Sequence, residues 1–501
     1  MSFGCTDTNQ ALHYLSRVRA EAISEADPLA SNNVSEYRSQ IQEGWAAKIP
    51  SPSVFDFDQQ PDLEPTKTNA PPLPSIAELA THLELLETLH LLRQRILSSN
   101  EIDNAFDISP QRLVKEGRRG VTKTLKDDTL WERRQVKWTR FVEFAVVRFL
   151  NWKENLQFPL NREEVMLPPL DILMVWHAFL LNPQLFYQHC RDESFYWVRV
   201  PWESVHSAID NLKWNYVQSG KAEANFQDLT GLSAELFKLF STWIVDRELA
   251  VAGKVPYLSQ YSLEREQGDA SLNLEDPTPA EQPITSSTPH LQNKHTRLPS
   301  AQHAITEEMS YTAAVYHQLF RKYGEGDGGL ALQLRDAVLR QCDFVDKMDK
   351  LLWIRSPALP GTLRRATARY EKFLTLIQLQ PKFLAVPTLD IDLVWHTHQC
   401  TAGFYVETVR KMTGNFVNHD DKIGKQPLAD GFIETRKLFK FYFIEEYDRC
   451  GCWECECLLE QVEQAVTKKK GGIDMDVIAR NVENDVTFHR EMEVAIRTKD
   501  L

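Results

Sequence analysis

Along the first fifty residues, apolar positions recur with helical spacing in "NQALHYLSRVRAEAISEA" and "SEYRSQIQEGWAAKI". Repeated proline in "PSPSVFDFDQQPDLEPTKTNAPPLP" then cancels all periodicity, as an extended connector does. A firm helix start follows, because Ser75 and Glu78 have the spacing of a capping box, in which each side chain satisfies a backbone donor at the helix end. Ile76, Leu79, Leu83, Leu86 and Leu89 then form one apolar stripe, with Glu84, Glu87 and Arg93 away from it. From Thr129 to Trp152 apolar and aromatic positions are dense enough to predict a helix buried on most of its circumference. Further helices are expected at Trp202 to Val217 and Ser233 to Glu248, and again through "TEEMSYTAAVYHQLFRKY", "LALQLRDAVLRQCDFVDKMDKLL", "ATARYEKFLTLIQL" and "LADGFIETRKLFKFYFIEEY". Between about Glu264 and Ala304 large apolar residues almost vanish, so residues 263–305 cannot bury enough surface to offset their ordering entropy and are read as a disordered linker. Strand signals are weak.

One pattern occurs twice. "LPPLDILMVWHAFLL" at 167 to 181 and "VPTLDIDLVWHTHQC" at 386 to 400 align Pro168 with Pro387, Asp171 with Asp390, Trp176 with Trp395 and His177 with His396. Upstream, "RFVEF" at 140 answers "RYEKF" at 369, and downstream Phe186-Tyr187 answers Phe404-Tyr405. A matched helix, connector and helix reads as a duplicated unit. The expected fold is therefore mainly α, with two related helical repeat units able to pack on each other through their Trp-His faces. The expected division is an N-terminal helical region at 1–262, the linker at 263–305, a second repeat with a Cys-rich end at 306–470, and a C-terminal tail at 471–501.

Composition narrows the function. A chain of 501 residues is too long for one compact core, and 57 Lys and Arg against 70 Asp and Glu give a formal charge of −13. That charge repels a phosphate backbone, so no nucleic-acid partner is expected. Even "FVEFAVVRFL" is broken by Glu143 and Arg148, so no membrane segment is expected. The start, "MSFGCTDTNQ", has neither the basic flank nor the apolar core of a secretory signal, which predicts a cytoplasmic protein with reduced thiols.

Residues that match in both copies, Asp171, Trp176, His177, Asp390, Trp395 and His396, are expected to be scaffold. Asp392 and His398 are peculiar to the second copy and mark it as the place to look for function. On an unbroken helix Asp392, His396 and Cys400 share a face while His398 points about 200° away. If the helix ends near Trp395, His396 and His398 become a chelate, and "NHDD" at 418 to 421 supplies His419 and Asp420 as further ligands for a zinc-type ion. The competing reading of Trp395 and His396 is a buried, hydrogen-bonded pair. "RCGCWECECLLE" places Cys450, Cys452, Cys455 and Cys457 within eight residues, as a structural zinc site or as reduced, partly buried thiols. No phosphate loop, nucleophile elbow or His-Glu-x-x-His helix occurs.

The second copy resembles the glycine-rich domain-containing protein-like family. "AVLRQCDF", "RYEKFLTLI", "VPTLDIDLVWHTHQ", "NHDD" and "FIETRKLF" come in that family's order, and the chain looks like a fungal-type member without the glycine-rich tail. The resemblance implies a second histidine in the first copy, where this chain has Phe179. It brings no agreed activity, and the family's RNA association does not carry over. The residues leave open whether the chain is an enzyme. The leading expectation is a non-catalytic binding or scaffold protein for an unknown protein or small ligand, and the alternative is a zinc-type hydrolase with its site in the second repeat.

Overall fold

A computed structural model describes residues 50–58, 73–106, 108–111, 113–116, 122–125, 127–157, 166–245, 258, 314–325, 329–467 and 474–497. The helices expected before residue 50, most of the proline-rich connector and the 263–305 linker lie outside the described residues.

Helices dominate, as expected. The principal ones, in chain order, are α1 (Ile76–Ser98), α2 (Asn100–Ala105), α3 (Gln135–Asn155), which follows a single turn at Leu130–Arg133, α4 (Leu170–Leu180), α5 (Pro183–Cys190), α6 (Trp202–Ala208), α7 (Gly220–Thr230) and α8 (Leu236–Val245). They continue as α9 (Leu330–Leu351), α10 (Leu359–Leu379), α11 (Leu389–Gln399), α12 (Gly403–Thr413), α13 (Lys425–Phe443), α14 (Trp453–Thr467) and α15 (Met475–Arg497). Strands β1 (Leu113–Glu116) and β2 (Thr122–Leu125) pair antiparallel, with Leu113 opposite Leu125.

The chain forms two compact units, neither continuous in sequence: residues 1–94, 156–226 and 340–501 make one, and 95–155 and 227–339 the other. This differs from the sequence-based division, because both Trp-His helices, α4 and α11, fall in the same unit. The expected tail at 471–501 contains α15, which packs along α14 and buries Ile478, Val482 and Val486, spaced four apart on one face.

In the first unit, the capping box of α1 is formed: Ser75 N–H donates to Glu78 Oε2 at 2.8 Å and Glu78 N–H to Ser75 Oγ at 3.2 Å. The single apolar stripe, however, is corrected, because Glu84 and Glu87 are buried together with Leu79, Leu83 and Leu86. Glu84 Oε2 lies 2.8 Å from His206 Nδ1, and burial pushes its carboxyl up to about 7. Burial, with Asp349 adding a like charge, pushes Glu87 up to about 8. The helix expected over 202–217 stops at Ala208, since the Asp210 carboxylate takes the amides of Leu212 and Lys213 into a turn and Ile209 then pairs with Tyr216. Around α10 pack α11, α12, α13 and α14.

In the second unit, the expected buried helix is α3. Lys137 Nζ donates to the carbonyls of Leu97 and Ser99 and to Asp103, so this buried ammonium caps the C-terminal end of α1. Arg148 donates to Ser233 O and Tyr316 Oη.

Candidate functional site

The chemistry of the first unit centres on α11. Thr388, in extended conformation, starts the helix, and its hydroxyl is bonded to Asp390. Arg369, from α10, donates to Asp390 Oδ2 at 2.6 Å and to the carbonyls of Glu446 and Tyr447. Asp390 thus ties the start of helix α11 to α10 through Arg369. Trp395 donates its indole N–H to Tyr405 Oη at 2.8 Å, and Tyr405 donates onward to Val417 O at 2.8 Å, which fixes the loop that carries His419.

The helix runs unbroken through Gln399, so His396 and His398 diverge. His398 Nδ1 lies 3.0 Å from Tyr370 Oη, its ring edge-on to Tyr405, and burial pushes it down to about 3. His396 turns the other way, beside Asp392 one helical turn earlier, with Nε2 3.3 Å from Asp392 Oδ1. His419 completes the group from the loop after α12: its Nε2 is 3.2 Å from His396 Nε2 and 3.5 Å from Asp392 Oδ1. Asp392, His396 and His419 therefore gather one ligand atom each about a common point. Asp420 is not among them, because its carboxylate accepts from Lys422 N–H at 3.0 Å within its own turn. The structure brings together His396 and His419 from the expected ligand set and places His398 and Asp420 elsewhere; Asp392 takes the third position. That partner was visible in its spacing from His396, whereas nothing in the local sequence marked the carbonyl that orients His419.

That carbonyl belongs to Leu181, at the end of α4, 3.1 Å from His419 Nδ1. Since a carbonyl only accepts, Nδ1 carries the proton and Nε2 of the neutral ring presents its lone pair toward Asp392 and His396. Burial lowers His396 to about 4, against the pull of Asp392. Burial also opposes charge on His419, but the neighbouring Asp392 carboxylate outweighs it and raises it. Burial would raise Asp392, yet His396, His419 and Lys347 hold it below the usual carboxylate value. Asp392 Oδ1 has no hydrogen bond that satisfies normal geometry among the described residues.

These atoms could hold a metal. Tetrahedral bonds of about 2.1 Å put ligand atoms roughly 3.4 Å apart, and the three separations here are 3.2, 3.3 and 3.5 Å. The second ring nitrogen of His419 on a carbonyl is the usual support for a ligating imidazole. The three atoms face a cavity of about 1000 Å³, walled by Phe344 and Lys347 of α9, the 384–390 segment, the 418–423 loop and Phe432 of α13. Asp421, also in that wall, pairs with Arg340 at 3.0 Å.

The helix that carries His177 is built differently. Leu173 stands where α11 has Asp392, and Phe179 packs edge-on against Phe186 at 5.0 Å. His177 Nε2 lies 2.9 Å from His82 Nε2, and His82 Nδ1 lies 2.8 Å from Thr397 Oγ1, whose own proton goes to Leu393 O. The relay sets both tautomers: Thr397 must accept from His82 Nδ1–H, so His82 Nε2 accepts from His177 Nε2–H. Burial pushes His177 down to about 3, so the relay is neutral. Trp176 and Asp171 are buried.

The cysteines separate as well. Cys450, Cys452 and Cys455 bring their sulfurs within 4.8 Å of one another, while Cys457 is buried apart from them.

Comparison with known proteins finds that residues 287–407 match the model of the glycine-rich domain-containing protein-like family. Glycine-rich domain-containing protein 2 of Arabidopsis thaliana is 40% identical over 98 residues, and glycine-rich domain-containing protein 1 of the same plant is 37% identical over 97. Each stretch is 18% of this chain and 12% of the relative, so the chain covers about an eighth of those proteins. No solved structure matches. The family match includes Asp392 and His396 and ends before His419.

Proposed function

Taking as premise that residues 287–407 make this chain a glycine-rich domain-containing protein-like family member, we propose that it is a non-catalytic binding protein whose binding element is a zinc-type metal held by Asp392, His396 and His419. The observation that carries this is the convergence of three ligand atoms at metal-ligand spacing on the wall of a cavity. One carboxylate and two imidazoles suit a borderline divalent ion. Three protein ligands would leave the metal a fourth position for a ligand, and the residues that would hold it line a space the size of a small-molecule pocket. The ligand is thus a small molecule with a donor atom for the metal and an apolar body to lie against Phe344 and Phe432. A reducing, cytosolic setting accords with Cys400, Cys450, Cys452, Cys455 and Cys457 all being free thiols. No helix among the described residues is long and apolar enough to cross a membrane.

The same open position would serve a zinc hydrolase, which is the second reading. Metal analysis of the full-length protein tests the shared premise: His396→Ala is expected to lose one equivalent of metal per chain, and His398→Phe to keep it. Equal metal content in wild type and His396→Ala would sink the proposal. Zinc-dependent turnover of an activated ester, abolished in His396→Ala, would replace binding with hydrolysis.

A further inference from the structure

We propose that Cys450, Cys452 and Cys455 form a second metal site of different chemistry, in which three thiolates hold a thiophilic zinc-type ion with its fourth position toward solvent. It does not depend on the imidazole and carboxylate site.

The loop bearing these cysteines is pinned before any ion arrives. Trp353 donates its indole N–H to Gly451 O at 2.6 Å, and Trp453 donates its own to Leu351 O at 2.7 Å. Gly451 lies flat on the Trp353 ring, where an added Cβ would come within 2.9 Å of it. The backbone between Cys450 and Cys452 is therefore set by packing. Helix α14 begins at Trp453, so Cys452 occupies its N-cap, and Glu456 N–H bonds to Cys452 O at 3.0 Å as the first turn closes.

The burial pattern completes the site. Cys455 is buried at its floor, Cys452 is intermediate and Cys450 exposed, so an ion can enter from solvent on the Cys450 side. Zinc–sulfur bonds of about 2.3 Å require sulfurs roughly 3.8 Å apart, so three sulfurs already within 4.8 Å need to close by no more than about 1 Å. Cys457 is two residues beyond Cys455 on the helix, about 200° round, and takes no part. Loading is balanced as one divalent ion in and up to three thiol protons out, with no change of oxidation state.

Cobalt is the probe, because only sulfur ligation gives it intense near-ultraviolet charge-transfer bands. Reduced, metal-stripped full-length protein is titrated with Co2+ as wild type, Cys452→Ser, Cys450→Ser, Cys457→Ser and His396→Ala. One equivalent of cobalt with charge-transfer bands is expected in wild type, Cys457→Ser and His396→Ala, and Zn2+ should displace it. The bands should vanish in Cys452→Ser. Cys450→Ser, whose side chain is exposed and outside the core, should bind cobalt at least ten-fold more weakly while keeping the wild-type helix content. Absence of the bands in wild type, or their persistence unchanged in Cys450→Ser, would overturn the assignment.

Discussion

A single residue separates His396 from His398, and the rotation of the helix assigns them to opposite tasks. His396 joins Asp392 and His419 at the cavity, while His398 is locked against Tyr370 in the core. The spacing of Asp392 and His396 was legible in the sequence because helical periodicity alone puts them on one face. The partner of His177 was not, because His82 lies 95 residues earlier on a helix whose pattern gives no sign of it. The relay invites a test at its far end. Thr397→Val removes the acceptor for His82 Nδ1–H and leaves a buried donor unsatisfied, which should cost about 1–3 kcal/mol in denaturant unfolding. Metal content should stay at the wild-type level, since Thr397 bonds to His82 and the Leu393 carbonyl and supplies none of the three ligand atoms. Unchanged stability would mean that the relay does not form in solution.

Among the helices, endings were less legible than beginnings. The capping box at Ser75 announced α1, but periodicity carried the expected helix at Trp202 well past Ala208, where the Asp210 turn prevails. Apolar spacing measures what a segment could bury as a helix and is blind to a side chain that competes for its amides. The end of α13 shows a termination that residue type works against. Ile444 closes that helix with φ 56° and ψ 33° and is 82% exposed. A β-branched residue pays strain in this left-handed conformation and gains almost no burial here. Ile444→Gly is therefore expected to raise stability by about 1 kcal/mol, read as an increase in thermal midpoint. The opposite sign is expected at Gly431, inside the same helix, where a Cβ would sit 2.9 Å from Val386 and 3.0 Å from the Leu384 carbonyl. Gly431→Ala should lower the midpoint despite its better helix propensity.

For the chain as a whole, sequence order and spatial grouping part company. The linker made a cut near residue 263 look natural, yet residues 1–94, 156–226 and 340–501 belong to one unit. Local patterns cannot reveal which distant segments will share a core. The buried acids of α1 show why: Glu84 and Glu87 looked like a solvated face, and contacts from far along the chain cover them. Their raised values carry a pH signature. Both carboxyls stay protonated in the folded unit above the pH at which they ionise when unfolded, so folding takes up protons. Stability is fully present below about pH 4.5 and is lost as pH rises through about 7 for Glu84 and about 8 for Glu87. Glu87→Gln should be most stabilising at pH 9, by roughly 4–5 kcal/mol relative to its effect at pH 4. Denaturant titrations at the two pH values measure the difference, and a pH-independent effect would contradict the burial of an acid.

The carbonyl of Leu181 reaches His419 across 238 residues of chain. A fragment cut out around residues 306–470 would keep all three candidate ligands and lose the group that sets the tautomer of one of them, along with His82 beneath Thr397. The segment around His396 is consequently not portable: grafted elsewhere, it would carry the donor atoms without their aim. Changes at residues 177 to 181 then have reason to be inherited together with changes at 396 to 419, even though only one of those stretches faces the cavity.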